Sequence, residues 1–363
     1  MSTNRTMTYI NPDDDDLVKQ RHSLAYKSFI SEFSVLKDRS ILYGRSQAKY
    51  FDDSCLNGDN HFNLNEGYET FIKKDSNEKL DILIKWILMQ TPSRGLSVKK
   101  ILHEADMVCW RGILTKIGCV PYLGDDVFRI AAVWYNNVIF LCELPTEVGL
   151  ERQANASEYE IKASYWGHKF EQFVTMDDID SMPNTKKPVD TNEEHCIVFK
   201  GTFQENKTSD LRKISIVYGA ETDCILSSTG EYIELKTQYD TLNNSFWKFK
   251  AIKWYLQSYL VNIEKIAVGY RDKEGFVKKT GTTRTSEIGD SKSPAKFNRC
   301  VCLNYVHKVL AFVKKEFEIG TKDSFVILEK IKGRNYLEMV RWDDDTVKED
   351  ILNNAFREMF PKI

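Results

Sequence analysis

The chain has no dominant charge, no long apolar run, no CxxC pair and no internal repeat. Its 51 lysines and arginines nearly balance 53 aspartates and glutamates, so the net charge of −2 gives no chain-wide attraction for nucleic acid. A local basic surface survives that balance, because a site rich in carboxylates lowers the total. No run approaches the roughly 18 apolar residues of a membrane-spanning helix, and the N-terminus lacks the basic-then-apolar order of a secretory signal. A soluble, intracellular protein with no membrane partner is expected. The cysteines at 55, 109, 119, 142, 196, 224, 300 and 302 are scattered, several inside apolar runs such as Val138–Cys142. That usage predicts reduced, buried thiols rather than a disulfide framework. Cys300-Val-Cys302 has no second pair and no histidine partner at zinc spacing, which argues against a zinc site.

What is present is ordinary for a globular protein: 42% hydrophobic and 29% charged residues over 363 positions, ample for a buried core. Residues 1–30, polar and carrying the acid run Asp13–Asp16, are expected to form a solvated leader ahead of one domain over 31–363. Leu80, Ile82, Leu83, Trp86, Ile87 and Met89 have helical period up to Pro92. Strands are predicted over Phe128–Trp134, Asn137–Leu144, Cys196–Phe203, Lys213–Val217, Ile263–Tyr270, Phe325–Glu329 and Tyr336–Val340. Helices are predicted over Ser245–Val261, Cys302–Phe317 and the C-terminus. The acid-rich stretch Asp177–Asn192 and the polar stretch from Tyr270 to Lys296 read as loops. The predicted fold is α/β, on a mixed or mostly antiparallel sheet with helices outside.

The most telling residues lie in Gly219-Ala-Glu-Thr-Asp-Cys224 and Tyr232-Ile-Glu-Leu-Lys236. Strand alternation puts Glu221 with Asp223, and Glu234 with Lys236, on one side each. Ser227–Glu231 between them is a glycine-containing turn of hairpin length. Antiparallel pairing would converge three carboxylates and one ammonium on one patch. Three such acids need a counter-charge, and a divalent cation supplies it. Either triplet alone is common on a solvated strand face. Two in phase, flanked by Ile214, Ile216, Val217, Ile225, Leu226 and Ile233, point to a metal-dependent phosphodiesterase. The helix that follows places Lys250, Lys253, Trp254 and Gln257 on one stripe. That stripe suits either a solvated face or a phosphate-bearing ligand.

Six motifs in order carry a resemblance to a known family. They are Cys109–Lys116, Gly167-His-Lys-Phe-Glu171, Gly219–Cys224, Glu234-Leu-Lys236, Lys253–Leu260 and Val268-Gly-Tyr-Arg-Asp272. Together they resemble the DXO decapping exoribonucleases, which include the fungal partner subunit of the nuclear 5′→3′ exoribonuclease. Weaker similarity extends through Phe33–Phe51, Phe62–Tyr68 and Phe297–Phe312. The resemblance implies a two-sheet core related to the PD-(D/E)xK nucleases. It assigns Glu171, Glu221, Asp223, Glu234 and the Leu235 carbonyl to one or two Mg²⁺ or Mn²⁺ ions. Lys236 and Gln257 would hold the attacking water and scissile phosphate, with Arg111, Trp110 and Gly112 on substrate phosphates. By looser alignment Arg39, Glu78 and Cys196 fall where the family touches substrate. His168 departs from the family, which usually has an apolar or aromatic residue there, and is expected to pack as a structural substitute.

The implied activity is hydrolysis at RNA 5′ ends. It covers decapping of incompletely capped or NAD-capped RNA, 5′→3′ degradation of monophosphate RNA and release of pyrophosphate from triphosphate RNA. The rival expectation is a non-catalytic stabilising subunit of a larger 5′→3′ exoribonuclease. Monomeric behaviour alone, and residence in nucleus or cytoplasm with the nucleus favoured, complete the expectations.

Overall fold

Alternation along the central strands splits their side chains between two cores. Ile214, Ile216 and Tyr218 enter one, and Val217 enters the other. The neighbouring strand divides in the same way, Ile197 and Phe199 against Cys196 and Val198. A sheet covered on both faces follows from such runs. The structure is a computed structural model that describes residues 8–9, 17, 21–75, 78–90, 96–204, 213–320, 325–342 and 345–362.

The covered sheet has ten strands, in the order Thr8–Tyr9, Glu338–Trp342, Phe325–Lys330, Phe128–Tyr135, Val138–Leu144, Met107–Trp110, Ile214–Thr222, Glu194–Phe203, Leu24–Val35 and Ile41–Tyr43. Met107–Trp110 runs parallel to both of its neighbours, and the other pairings are antiparallel. A second sheet of seven strands runs Phe62–Asn63, Phe276–Arg284, Lys265–Arg271, Tyr232–Tyr239, Cys224–Ile225, Tyr50–Phe51 and Thr175–Met176. Tyr232–Tyr239 and Lys265–Arg271 are parallel, and the helices Asn244–Phe249 and Ala251–Leu260 make the crossover that parallel strands require.

Two glycines hold aromatic residues against the strands that bear the functional groups. A Cβ on Gly219 would stand 2.7 Å from the Trp110 ring, and one on Gly269 would stand 2.5 Å from Phe170. Trp110 is the register partner of Gly219. The junction from strand to helix at Arg111 therefore sits directly beside the strand that carries Glu221. The helix Glu158–Phe173 buries Tyr165, Trp166 and Phe170 in a third core with Leu235 and Ala267, which brings its C-terminal end to the second sheet.

Several expectations change. The strand Leu24–Val35 begins inside the stretch expected to be a leader; only its two ends are buried, so it reads as polar. The acid run Asp13–Asp16 lies outside the described residues. The predicted helix Ser245–Val261 is two helices broken at Lys250, whose φ of −109° and ψ of −35° end one and cap the next. The polar stretch after Tyr270 contains the strand Phe276–Arg284, antiparallel to Lys265–Arg271. Its threonines favour extended backbone while its outer face stays wet, which hides the apolar signal. The helix Glu158–Phe173 carries too little apolar period to stand out, and the strand Met107–Trp110 and the helix Arg111–Cys119 are each short and follow one another without a break.

Candidate active site

The expected antiparallel pairing across the turn is present but short: Cys224 and Ile225 pair with Ile233 and Tyr232, and Glu221 lies outside that hairpin. Glu221 ends the strand Ile214–Thr222 of the larger sheet, whereas Cys224–Ile225 belongs to the smaller one. Asp223 is the point where the chain steps between sheets. The acids converge because the sheets meet there. Asp223 Oδ2 accepts the Leu235 N–H at 2.5 Å, which ties the crossing point to the middle of the second triplet.

Glu234 is 2% exposed. Its Oε1 accepts the Lys236 ammonium at 2.5 Å, while Oε2 is buried with no partner. Burial pushes the Glu234 pKa up, but the charges of Lys236 and Arg111 outweigh it and hold the carboxyl below its ordinary value. Lys236 is likewise disfavoured by burial, yet Glu234 and Asp223 keep it charged. Asp223 goes the other way: burial, then repulsion from Glu234, raise it well above the carboxylate range. A buried ion pair beside a carboxyl that resists ionising lacks positive charge, and one Glu234 oxygen is buried there without a partner.

Glu221 and Asp223 open into a cleft shared with Glu171 and His168, both from the last turns of Glu158–Phe173. Burial and the nearby Glu194 push Glu221 up to about 7. Its side chain still keeps 53% of its surface open, so it stands deep in the cleft yet reachable from solvent. His168 packs its ring against Phe71, as a structural substitute would, and it also lines the cleft. Its Nδ1 lies 3.5 Å from Glu171 Oε2, and both side chains are more than a third exposed. Burial alone would lower the His168 pKa, but Glu171 outweighs it and raises it.

Arg111 opens the helix Arg111–Cys119 and donates from one guanidinium nitrogen to the Gln257 carbonyl at 2.8 Å. Trp110 caps that helix without a side-chain hydrogen bond and anchors its indole on the Lys79 carbonyl at 3.1 Å. The first backbone N–H groups of a helix are free to receive an anion, and Gly112 beside them borders open space. The stripe Lys250, Lys253, Trp254, Gln257 does not act as one face. Lys250 bonds Gln238 at 2.9 Å, Lys253 bonds Asp126 at 3.1 Å, and Trp254 is in the core. Gln257 remains half-buried beside Arg111.

The looser assignments separate. Arg39 is bound to Glu78, to Glu194 and to the Asn192 carbonyl, so Arg39 and Glu78 join the cleft through Glu194, which lines it. Cys196 is completely buried in the core beneath, opposite Glu221 in register, and presents no surface. Two residues were missed. Glu194 accepts both Arg39 and Lys74, and Lys74 also lies 3.8 Å from Glu221. Glu194 shares strand parity with Cys196, the one signal that pointed to it. Nothing local marked Lys74.

Among the described residues no three acidic, histidine or cysteine side chains already close around an ion. The chemistry of the set nonetheless fits a hard divalent cation: carboxylates on three elements, one buried oxygen without a partner, and no cysteine lining the cleft. Glu171, Glu221, Asp223 and Glu234 are the residues that would hold it.

Comparison with known proteins agrees with that chemistry. A family model described as RAI1 like PD-(D/E)XK nuclease matches residues 28–357. The decapping nuclease dom-3 of Caenorhabditis elegans is 43% identical over 263 residues, covering 72% of this chain and 66% of that protein. The decapping and exoribonuclease protein of Xenopus laevis is 28% identical over 329 residues, covering 82% of this chain and 79% of that one. The chain thus spans just under two thirds of the worm relative. The fold matches Candida albicans Rai1, solved in complex with pU5-Mn²⁺, with a TM-score of 0.77 at 19% identity over 97% of this chain and 98% of that one. It also matches K. lactis Dxo1, solved in complex with manganese, with a TM-score of 0.60 at 14% identity over 94% of this chain and 96% of that one. Metal-type carboxylates at the meeting of two sheets, and a family match over nearly the whole chain, place this protein in the RAI1-like PD-(D/E)XK nuclease family.

Proposed function

We propose that this chain is a divalent-metal-dependent hydrolase of RNA 5′ ends, acting in decapping and 5′→3′ degradation. The observation that carries the reading is the Glu234–Lys236 pair, one carboxylate oxygen bound and the other buried and open, beside the cleft of Glu171, Glu221 and Asp223. Mg²⁺ or Mn²⁺ in that centre would neutralise the scissile phosphate and lower the pKa of a bound water. Lys236 sets a compact positive charge beside the reacting phosphorus, and Gln257 orients the water through its amide. Arg111 offers the donors it does not use on Gln257 to a substrate phosphate, in a fork that suits two oxygens at once. The names of the relatives support the same substrate class.

Incubation with RNAs ending in 5′-monophosphate, triphosphate, GpppN, methyl-GpppN or NAD tests this reading. Release of a mononucleotide, pyrophosphate, a cap dinucleotide or NAD is expected with Mg²⁺ or Mn²⁺. Activity should vanish in EDTA, and Ca²⁺ should support binding with little turnover because its looser shell orients water poorly. Full activity in chelator would refute the metal centre. No turnover of any 5′ end, with a large exoribonuclease co-purifying in stoichiometric amount, would favour the stabilising-subunit reading.

Metal affinity should also depend on pH. A carboxyl raised to about 7, as Glu221 is, must give up its proton to bind an ion. Below that value each pH unit is expected to weaken Mn²⁺ binding about tenfold per displaced proton. Calorimetry on either side of it, in buffers of different ionisation enthalpy, measures both affinity and proton release. Affinity that ignores pH would take Glu221 out of the ligand set.

A further inference from the structure

His168 and Glu171 are i and i+3 on one helix, so their side chains share a face. Both line the cleft that Glu221 and Asp223 enter. The His168 ring also lies against Phe71, at 6.0 Å between centroids and a 32° tilt. Its Nδ1 stands 3.5 Å from Glu171 Oε2. Two donors each about 2.1 Å from one ion stand about 3.0 Å apart at a right angle and about 3.6 Å apart at 120°. The observed separation falls inside that interval. Imidazole and carboxylate one helical turn apart are a recurring way to present two ligands to one metal.

We propose that His168 is a nitrogen ligand, through Nδ1, of the same metal centre as Glu171. This rests on the reading of Glu171, Glu221, Asp223 and Glu234 as a metal site, and it names which ions that site prefers. An all-oxygen set serves Mg²⁺, Ca²⁺ and Mn²⁺ alike, whereas an added imidazole favours transition-metal ions over the alkaline earths. The centre is therefore selective for ions such as Mn²⁺ and Co²⁺ over Mg²⁺. The alternative is a plain imidazolium–carboxylate pair, which would repel an ion instead of holding it.

Spin-echo spectroscopy of Mn²⁺ bound to the full-length protein tests the proposal directly, because a ligating imidazole couples its ¹⁴N nucleus to the metal electrons. The ¹⁴N modulation should be present in the unsubstituted protein and absent in His168→Phe, which keeps the stacking on Phe71. Calorimetry should show Mn²⁺ and Co²⁺ affinity falling about tenfold in His168→Phe and His168→Gln, with Mg²⁺ affinity nearly unchanged. Bound Mn²⁺ without ¹⁴N modulation overturns the proposal and leaves the carboxylate centre standing. Modulation that persists in His168→Phe overturns it too, and points to His195, the other imidazole on the cleft wall. No Mn²⁺ binding by the unsubstituted protein overturns the metal centre itself. The spectrum of the unsubstituted protein decides the ligand question even if a variant is unstable.

Discussion

Glu234→Gln is expected to leave a folded protein whose hydrolysis of 5′-monophosphate RNA is lower by on the order of 10³-fold. The amide has the shape of the carboxylate but none of its charge. One of its ends must face either the Lys236 ammonium or the buried space where Oε2 now has no partner. An NH₂ against Lys236 sets donor against donor, and an NH₂ in the gap blocks the direction from which an ion would bind. The charges nearby change with it. Asp223 is raised first by burial and next by Glu234, so removing that repulsion lets Asp223 ionise more easily. Lys236 loses its main charge partner and becomes easier to deprotonate. Steady-state rates, Mn²⁺ calorimetry and a melting curve on one preparation measure the effect. A folded Glu234→Gln protein that turns over any RNA 5′ end at the unsubstituted rate would remove Glu234 from the centre.

The second expectation separates chemistry from substrate hold. Lys236→Ala should lower kcat by about 10²–10³-fold with little change in KM, since its charge matters most as the phosphate gains charge. Metal binding should survive, because the substitution removes a competing cation from Glu234 Oε1. Arg111→Ala should raise KM for 5′-phosphate RNA and cost about 1–2 kcal/mol of stability through the lost bond to the Gln257 carbonyl. The contact on Gln257 makes Arg111 a brace as well as a substrate group, so melting temperature and RNA affinity must be read together. A large loss of stability with unchanged RNA affinity would reduce Arg111 to a brace alone.

Glu221, Asp223, Glu234 and Lys236 were legible in the sequence because two charged triplets in phase across a short turn, each set among apolar strand residues, are harder to explain as solvated faces than either one alone. Gln257 stood on a helical stripe that the spacing already marked, whereas Glu171 and Arg111 became legible only through motif order, since each stands on a helix with no local excess of charge. His168 was read as a structural substitute, and one position on a mixed helix does not reveal that it also lines the cleft. Glu194 and Lys74 gave still less, as their partners lie far along the chain.

The sequence by itself determined the strand periods, the buried thiols and the chemistry of the acids, all set by side chains within a few residues of one another. Strand alternation correctly paired Glu234 with Lys236. It could not show that Glu221 and Glu234 belong to different sheets, because a step from one sheet to another at Asp223 leaves no mark in a two-residue period. Only the tertiary structure decided that the carboxylates meet through the junction of two sheets, and that Arg111 reaches the Gln257 carbonyl from one helix to another. The reason is physical: covering both faces of the larger sheet forces the chain to cross there, and packing, not local propensity, chooses the crossing point.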